Sequence, residues 1–297
     1  MPALSQTRAY AALLLIVALW GSYPAAAKLA LADLPPFTLA TFRCLLASLF
    51  LVALVARRGF EEARALAWRD LRGLGFLAFS GIFLATGFTY LAIYLTTASN
   101  AVILQASTPV LVAVGARLYL KERLRPLQWA GVVCSAAGVL LVVTRGGWAA
   151  LRPANLQVGD FLVLFAISGW SAYTIYGKRV LAVQSPVLAT TAAYVLGTIM
   201  LLPLALATAP LFPPPRLTSL TAWGVVLYQA ILGALAHVWW YEAVQAVGPS
   251  RSAIFMNLQP LVGVLLAAGI LGEKIGLAQV LGGLAVLVGV ALTTRHK

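Results

Sequence analysis

Long apolar runs, each bounded by charge, proline or glycine, follow one another along almost the whole chain. They cover residues 9–32, 36–56, 73–94, 98–118, 127–144, 158–177, 185–208, 219–242, 252–272 and 277–294. A hydrocarbon layer about 30 Å thick takes about 20 apolar residues per helix, so each run predicts a transmembrane α-helix. Several runs are only a few residues apart, which makes neighbouring helices antiparallel hairpins. The stretch 210–217, Pro-Leu-Phe-Pro-Pro-Pro-Arg-Leu, cannot continue a helix, because consecutive prolines lack N–H donors and clash with the preceding turn. It reads as a stiff loop.

Composition agrees with that pattern. Hydrophobic residues make up 62% of the 297 and charged ones only 10%, against roughly 45–50% and 25% in soluble domains. Such a chain needs lipid as its solvent. The first run exceeds a signal-peptide core and lacks a cleavage site, so it reads as a retained helix. Cys44 and Cys134 fall inside apolar runs and read as small hydrophobes, not as a disulfide. The two histidines and eight acids are scattered with no metal-ligand spacing, so no cofactor or metal is expected and an intramembrane enzyme is a distant alternative.

The formal charge of +13 suggests an anionic partner until the positions of the basic residues are read. With the N-terminus in the cytoplasm, 15 of the 21 Lys and Arg residues fall in cytoplasmic segments. Five (Lys28, Arg145, Arg152, Arg216 and Lys274) fall on the other side, and Arg43 lies within a span. That bias is the positive-inside pattern. It places both termini in the cytoplasm of a multi-pass inner (plasma) membrane protein. The charge is topology, not nucleic-acid binding, and the expected partners are the bilayer and a small-molecule substrate. A monomer is expected, with a dimer left open.

The two halves align without a gap at an offset of 151: Pro109 with Pro260, Glu122 with Glu273, Gln128 with Gln279, Gly131 with Gly282, Gly138 with Gly289, and Tyr90 with Tyr241. At an offset of 150, Trp20, Tyr23 and Lys28 meet Trp170, Tyr173 and Lys178. Five spans is an odd number, so a duplicated half enters the membrane from the opposite side. The expected fold is all-α, with ten transmembrane helices as two inverted five-helix repeats around a central cavity. The repeats run 1–147 and 158–297, joined by an outer linker at 148–157. Inverted repeats suit alternating access in secondary transporters, with the site near the midplane between halves.

Residues within this frame carry a family resemblance. They are the early Trp20-Gly21, Arg43 in the second span, and Tyr90 and Tyr241 each followed two residues on by Ala. To these add a Pro in the fourth and ninth spans, followed by a Glu and a Gly-x6-Gly helix. Over essentially its whole length the chain resembles the drug/metabolite transporter superfamily, EamA-type. Within it, the chain looks most like YddG-type exporters of aromatic amino acids and toxic aromatic cations. The resemblance implies a ten-helix fold with a cavity lined mainly by spans 1, 3, 4, 6, 8 and 9.

Several side chains are candidates for that cavity. Arg43 lies several residues inside its span, where an arginine costs at least about 2.5 kcal/mol. It either meets a substrate carboxylate or cavity carbonyls, or it snorkels to the outer interface. Gln105, Asn257 and Gln259 flank Pro109 and Pro260, which free the carbonyls of Gln105 and Met256. These amides line the cavity or join helix to helix. Asn100 belongs to a capped helix start, Thr-Thr-Ala-Ser-Asn, that favours anions. Trp20, Tyr23, Tyr90, Tyr94, Trp170, Tyr173, His237, Trp239 and Tyr241 offer aromatic faces for planar or cationic solutes. Belt positions at headgroup level are their bland alternative. Lys28 and Lys178 read as snorkelling. Glu122 and Glu273 read as structural, bonding to the start of the next helix or to Arg123 or Lys274. The function expected is that of a secondary transporter exporting or facilitating small organic solutes by alternating access, amino acids first (aromatic ones favoured) and aromatic cationic drugs second. A sugar-nucleotide or phosphorylated-metabolite carrier is the alternative, for which one Arg43 is thin provision.

Overall fold

The computed structural model describes residues 6–57, 59, 61–64, 66, 68–119, 125–144, 146, 157–247, 255 and 258–294. Among them there is no strand, and the chain is a bundle of helices. They are α1 (Gln6–Ala30), α2 (Pro36–Ala56), α3 (Trp68–Leu77), α4 (Phe88–Leu95), α5 (Ala98–Gln105) and α6 (Thr108–Tyr119). They continue with α7 (Pro126–Val143), α8 (Val158–Val180), α9 (Pro186–Thr208), α10 (Leu220–Val247), α11 (Gln259–Leu271) and α12 (Leu277–Thr294). Among the described residues seven spans are long and apolar enough to cross a membrane, and three shorter apolar helices cover 98–112, 259–271 and 277–293. Leu14, Leu49, Val133, Ile199, Leu206 and Leu265 stand exposed on the outer faces. Water would not tolerate such a surface, and lipid does.

Two spans depart from the straight helices that periodicity suggests. Wider π-helical turns at Ala78–Gly87 join α3 to α4, and there the Thr86 hydroxyl bonds the Gly81 carbonyl five residues back. The fourth span is broken at Ala106–Ser107 into α5 and α6. Pro109 cannot donate, and the Gln105 carbonyl it would have bonded instead accepts the Thr108 hydroxyl at 2.5 Å. That carbonyl is therefore satisfied within the chain. Asn257, Met256, Glu122, the 148–156 stretch and the side chains of Lys178 and Tyr241 lie outside the described residues.

Helices of the first half pack mainly on helices of the second: α1 on α10 and α11, α2 on α9, α4 and α6 on α8, and α7 on α12. The last of these seams is built by glycine. A Cβ at Gly131 would lie 2.6 Å from the Gly289 carbonyl oxygen, and one at Gly138 would lie 2.6 Å from that of Gly282. Helices associate in lipid by close backbone approach at small residues, since lipid offers no hydrophobic drive between them. The contact is also reciprocal and antiparallel: 131 meets 289 while 138 meets 282.

Lys28, expected to snorkel, instead turns inward. Its ammonium donates to the carbonyls of Ile93 (2.7 Å) and Thr96 (2.5 Å), closing the C-terminal end of α4. Cations are favoured there because the last carbonyls of a helix are unpaired and carry the negative end of its dipole.

Candidate functional site

The centre of the bundle holds a charge. Arg43, on α2, is only 5% exposed, so it does not snorkel. Its Nε donates to the Gln229 carbonyl (3.4 Å) and its Nη2 to the Tyr194 hydroxyl (3.2 Å). The guanidinium also lies 5.8 Å from the ring centroids of Tyr23 and Tyr194. Aromatic faces attract cations through their quadrupoles, yet none of this neutralises the charge. None of the described ion pairs involves Arg43; Arg216 pairs with Asp33 at 3.4 Å. Among the described residues Nη1 meets no acceptor.

Phenols and one amide fill the layer around it. Gln229, fully buried on α10, accepts the Tyr90 hydroxyl (2.5 Å) and donates to the Tyr23 carbonyl (3.0 Å). Tyr228 and Ser22 pair through their hydroxyls at 2.5 Å, and the Ser22 hydroxyl donates to the Leu19 carbonyl at 2.7 Å. The Tyr23 hydroxyl is buried with no partner among the described residues. Gly233 lies beside it: a Cβ there would stand 2.6 Å from that hydroxyl and 3.3 Å from Arg43 Nη2. Absence of a side chain at 233 is what lets α10 approach the pair. An unpaired buried hydroxyl next to an uncompensated cation has two donors and nothing to receive them.

One turn further along α10 the surroundings become aromatic. His237 Nδ1 lies 2.8 Å from the Gly233 carbonyl, an oxygen that can only accept, so Nδ1 carries a proton and donates it to that bond. Trp20, Trp170 and Tyr194 surround the imidazole with centroids at 5.3, 5.7 and 6.1 Å. Tyr173 stacks on Trp170 at 5.2 Å. Gln229, Gly233 and His237 recur every four residues, so one face of α10 presents the amide, the gap and the ring in register.

The structure brings together Trp20, Tyr23, Arg43, Tyr90, Trp170, Tyr173 and His237 of the residues singled out from the sequence. It sets others apart. Tyr94 is 37% exposed and packs edge-on against Phe212 at the bundle end. Asn100 is buried at that same end, bonded to Asp160 and Gln279. Gln105 ends α5, Gln259 begins α11 with its carbonyl against Gly21, and Trp239 is half-buried with Trp240, not Trp239, against Trp20. Glu273 departs from expectation most clearly. Its carboxylate accepts the Ala98 and Ser99 amides (2.8 and 2.9 Å) and the Ser99 hydroxyl (2.7 Å), capping α5 in the other half. The anion favoured by that helix start is thus the chain's own.

Tyr194 and Gln229 went unremarked in the sequence, yet signals existed. Tyr194 stands 151 residues after Arg43, the offset of the repeat, and Gln229 is a lone amide in an apolar span. A separate cavity of about 250 Å3 among Val52, Leu66, Leu74, Leu188 and Leu196 is lined chiefly by aliphatic side chains and offers nothing to a polar solute.

Known proteins place this architecture. The model of the EamA-like transporter family matches twice, over residues 7–144 and 157–295. An uncharacterized transporter of Archaeoglobus fulgidus is 33% identical over 96% of this chain and 96% of its own. The uncharacterized transporter YyaM of Bacillus subtilis is 26% identical over 83% and 80%. The uncharacterized inner membrane transporter YedA of Escherichia coli is 24% identical over 97% and 91%. A solved crystal structure at 21% identity superposes with a TM-score of 0.65 over 97% of this chain and 96% of that one, a likeness of fold. The chain is a membrane transporter and belongs to the EamA-like transporter family.

Proposed function

We propose that this protein is a secondary transporter of small carboxylate-bearing organic solutes, amino acids first and aromatic ones above all, working by alternating access. The observation that carries the reading is Arg43, a buried cation whose described partners are all neutral, beside a Tyr23 hydroxyl with no partner among the described residues. A buried ion costs several kcal/mol unless paired, and a cargo carboxylate supplies the missing charge and accepts both donors. The rings of Trp20, Trp170 and His237 one turn away give a planar side chain its stacking surface. The fixed positive charge disfavours aromatic cations, and a single arginine is poor provision for a sugar nucleotide.

Alternating access rests on the inverted relation of the halves. The reciprocal antiparallel approach of α7 and α12 supports it, since a two-fold axis relates such contacts in pairs. So does the Arg43–Tyr194 bond, which joins positions equivalent under the repeat. The excess of Lys and Arg in alternate loops supports an N-in, C-in orientation in the inner membrane.

Thermal unfolding of the purified protein with added ligands tests the substrate class, because a ligand that binds the folded state raises its stability by mass action. Phenylalanine or tryptophan should raise Tm while phenethylamine and tryptamine, lacking the carboxylate, should not. Equal shifts with acid and amine would overturn the role given to Arg43.

A further inference from the structure

At one end of the bundle, buried polar side chains tie the two halves together. Asp160, at the start of α8 and 1% exposed, accepts the Thr96 hydroxyl and both contacts of the Asn100 amide (3.1 and 3.2 Å). The Asn100 carbonyl oxygen in turn accepts Gln279 Nε2 at 2.7 Å. Gln157 accepts Thr96 at 3.1 Å, and Glu273 caps the first turn of α5. The donors on 96–100 come from the first half, Asp160, Glu273 and Gln279 from the second, and Gln157 from the end of the linker that joins them. All converge on the corner where α4 passes into α5, and Lys28 holds the α4 side of that corner. At the same end Asp33 accepts the Ser219 hydroxyl at 2.6 Å, and its backbone carbonyl accepts the Arg216 amide at 2.8 Å.

We propose that this network, with Asp160 at its centre, is a latch that closes one mouth of the transport path and must open in every cycle. The inference rests on the carrier reading. In the orientation proposed above, the latched mouth faces outward. Two features separate a latch from ordinary helix glue. The ties made by Asp160, Gln279 and Glu273 all cross between halves at one end, so rocking the halves breaks them together, and a buried polar network left half-satisfied is costly. The latch also has no twin in the repeat. Gln279 and Glu273 have counterparts in Gln128 and Glu122, but Asp160 falls on Ala9 or Tyr10 and Asn100 on Arg251 or Ser250. The repeat-equivalent positions carry no acid–amide pair, and the pair biases the resting carrier toward closure at its own mouth.

The test uses the full chain in proteoliposomes, in a Cys44→Ala/Cys134→Ala background. A single cysteine replaces Ala98, which is buried at the latched corner. Its reaction with a membrane-impermeant maleimide reports opening without any cargo. Loss of a hydrogen bond to a charged group shifts an equilibrium by about tenfold or more, so Asp160→Ala should speed labelling by about that factor. Gln279→Leu should act in the same direction, and carries the test if Asp160→Ala fails to fold. Separately, a thiol cross-link between Thr96→Cys and Gln157→Cys should stop solute exchange, and reduction should restore it. Unchanged labelling in a folded variant, or full exchange through the cross-linked protein, would overturn the latch. Labelling from the cytoplasmic side alone would reverse the orientation and leave the latch standing. Absence of exchange for every solute before cross-linking would sink the carrier reading, while labelling would still decide whether the corner opens.

Discussion

Replacing Gly138 by alanine should loosen the seam between α7 and α12. The new methyl would lie 2.6 Å from the Gly282 oxygen, 2.7 Å from the Val286 nitrogen and 3.0 Å from Ala285 Cβ. Two of those atoms are backbone, so no rotamer change relieves the crowding. Restoring an ordinary 3.4 Å contact requires the helices to part by about 0.8 Å. A gap of that size forfeits a quarter to a half of the attraction of each atom pair it touches, and overpacking of this kind costs about 1–3 kcal/mol. At roughly 2–4 °C per kcal/mol, Tm in detergent should fall by on the order of 5 °C. Gly269→Ala is the control, because nothing lies within 4 Å of its added methyl. There the gain in helix propensity, about 1 kcal/mol, should leave Tm level or higher. Gly282→Ala meets the same crossing from the other side, so the double variant should lose less than the two single losses together. Equal Tm values for Gly138→Ala and Gly269→Ala would refute the close-approach argument. Strict additivity would show that 138 and 282 do not share one contact.

Gln229→Leu should lower Tm and abolish the ligand-induced shift together. It strands the buried Tyr90 hydroxyl at about 1–3 kcal/mol and removes the side-chain bond to the Tyr23 carbonyl; a variant with normal Tm and normal binding would show the amide to be idle. Glu273→Ala should cost about 0.5–2 kcal/mol by removing the acceptor of the Ala98 and Ser99 amides, with the Thr97 hydroxyl still accepting that of Asn100. Glu273→Gln, which keeps one acceptor oxygen, should recover part of that loss, and chemical denaturation of the two variants decides the order.

Much of the fold is legible in the sequence because lipid imposes simple arithmetic: a run long enough to span is a helix. The break at Ala106–Ser107 is harder to see. Pro109 signals a missing bond, but whether a helix bends or stops there depends on which side chain accepts the freed carbonyl, and Thr108 does so. Lys28 misleads for a related reason. Near a span end an ammonium has two good environments, headgroup water and helix C-terminal carbonyls, and only the position of α4 decides between them. The site is legible by residue type: Arg43 is conspicuous by its cost, and the aromatic residues by their depth. Its partners are less so, because Tyr194 and Gln229 reach Arg43 through packing between halves. Asn100 and Glu273 read as local capping features, and become inter-half ties only once α5, α8 and α12 are in place.

Counterflow in proteoliposomes bears most directly on the central claim, that Arg43 receives the carboxylate of an aromatic cargo. Vesicles loaded with unlabelled phenylalanine or tryptophan are given the radiolabelled amino acid outside, with wild-type protein, Arg43→Gln or Arg43→Lys. Saturable exchange by the wild type should be unaffected by tryptamine, lost in Arg43→Gln, and poorly rescued by Arg43→Lys, which lacks the two-pronged guanidinium. Undiminished exchange by a folded Arg43→Gln protein, or competition by the amine as strong as by the acid, would contradict it.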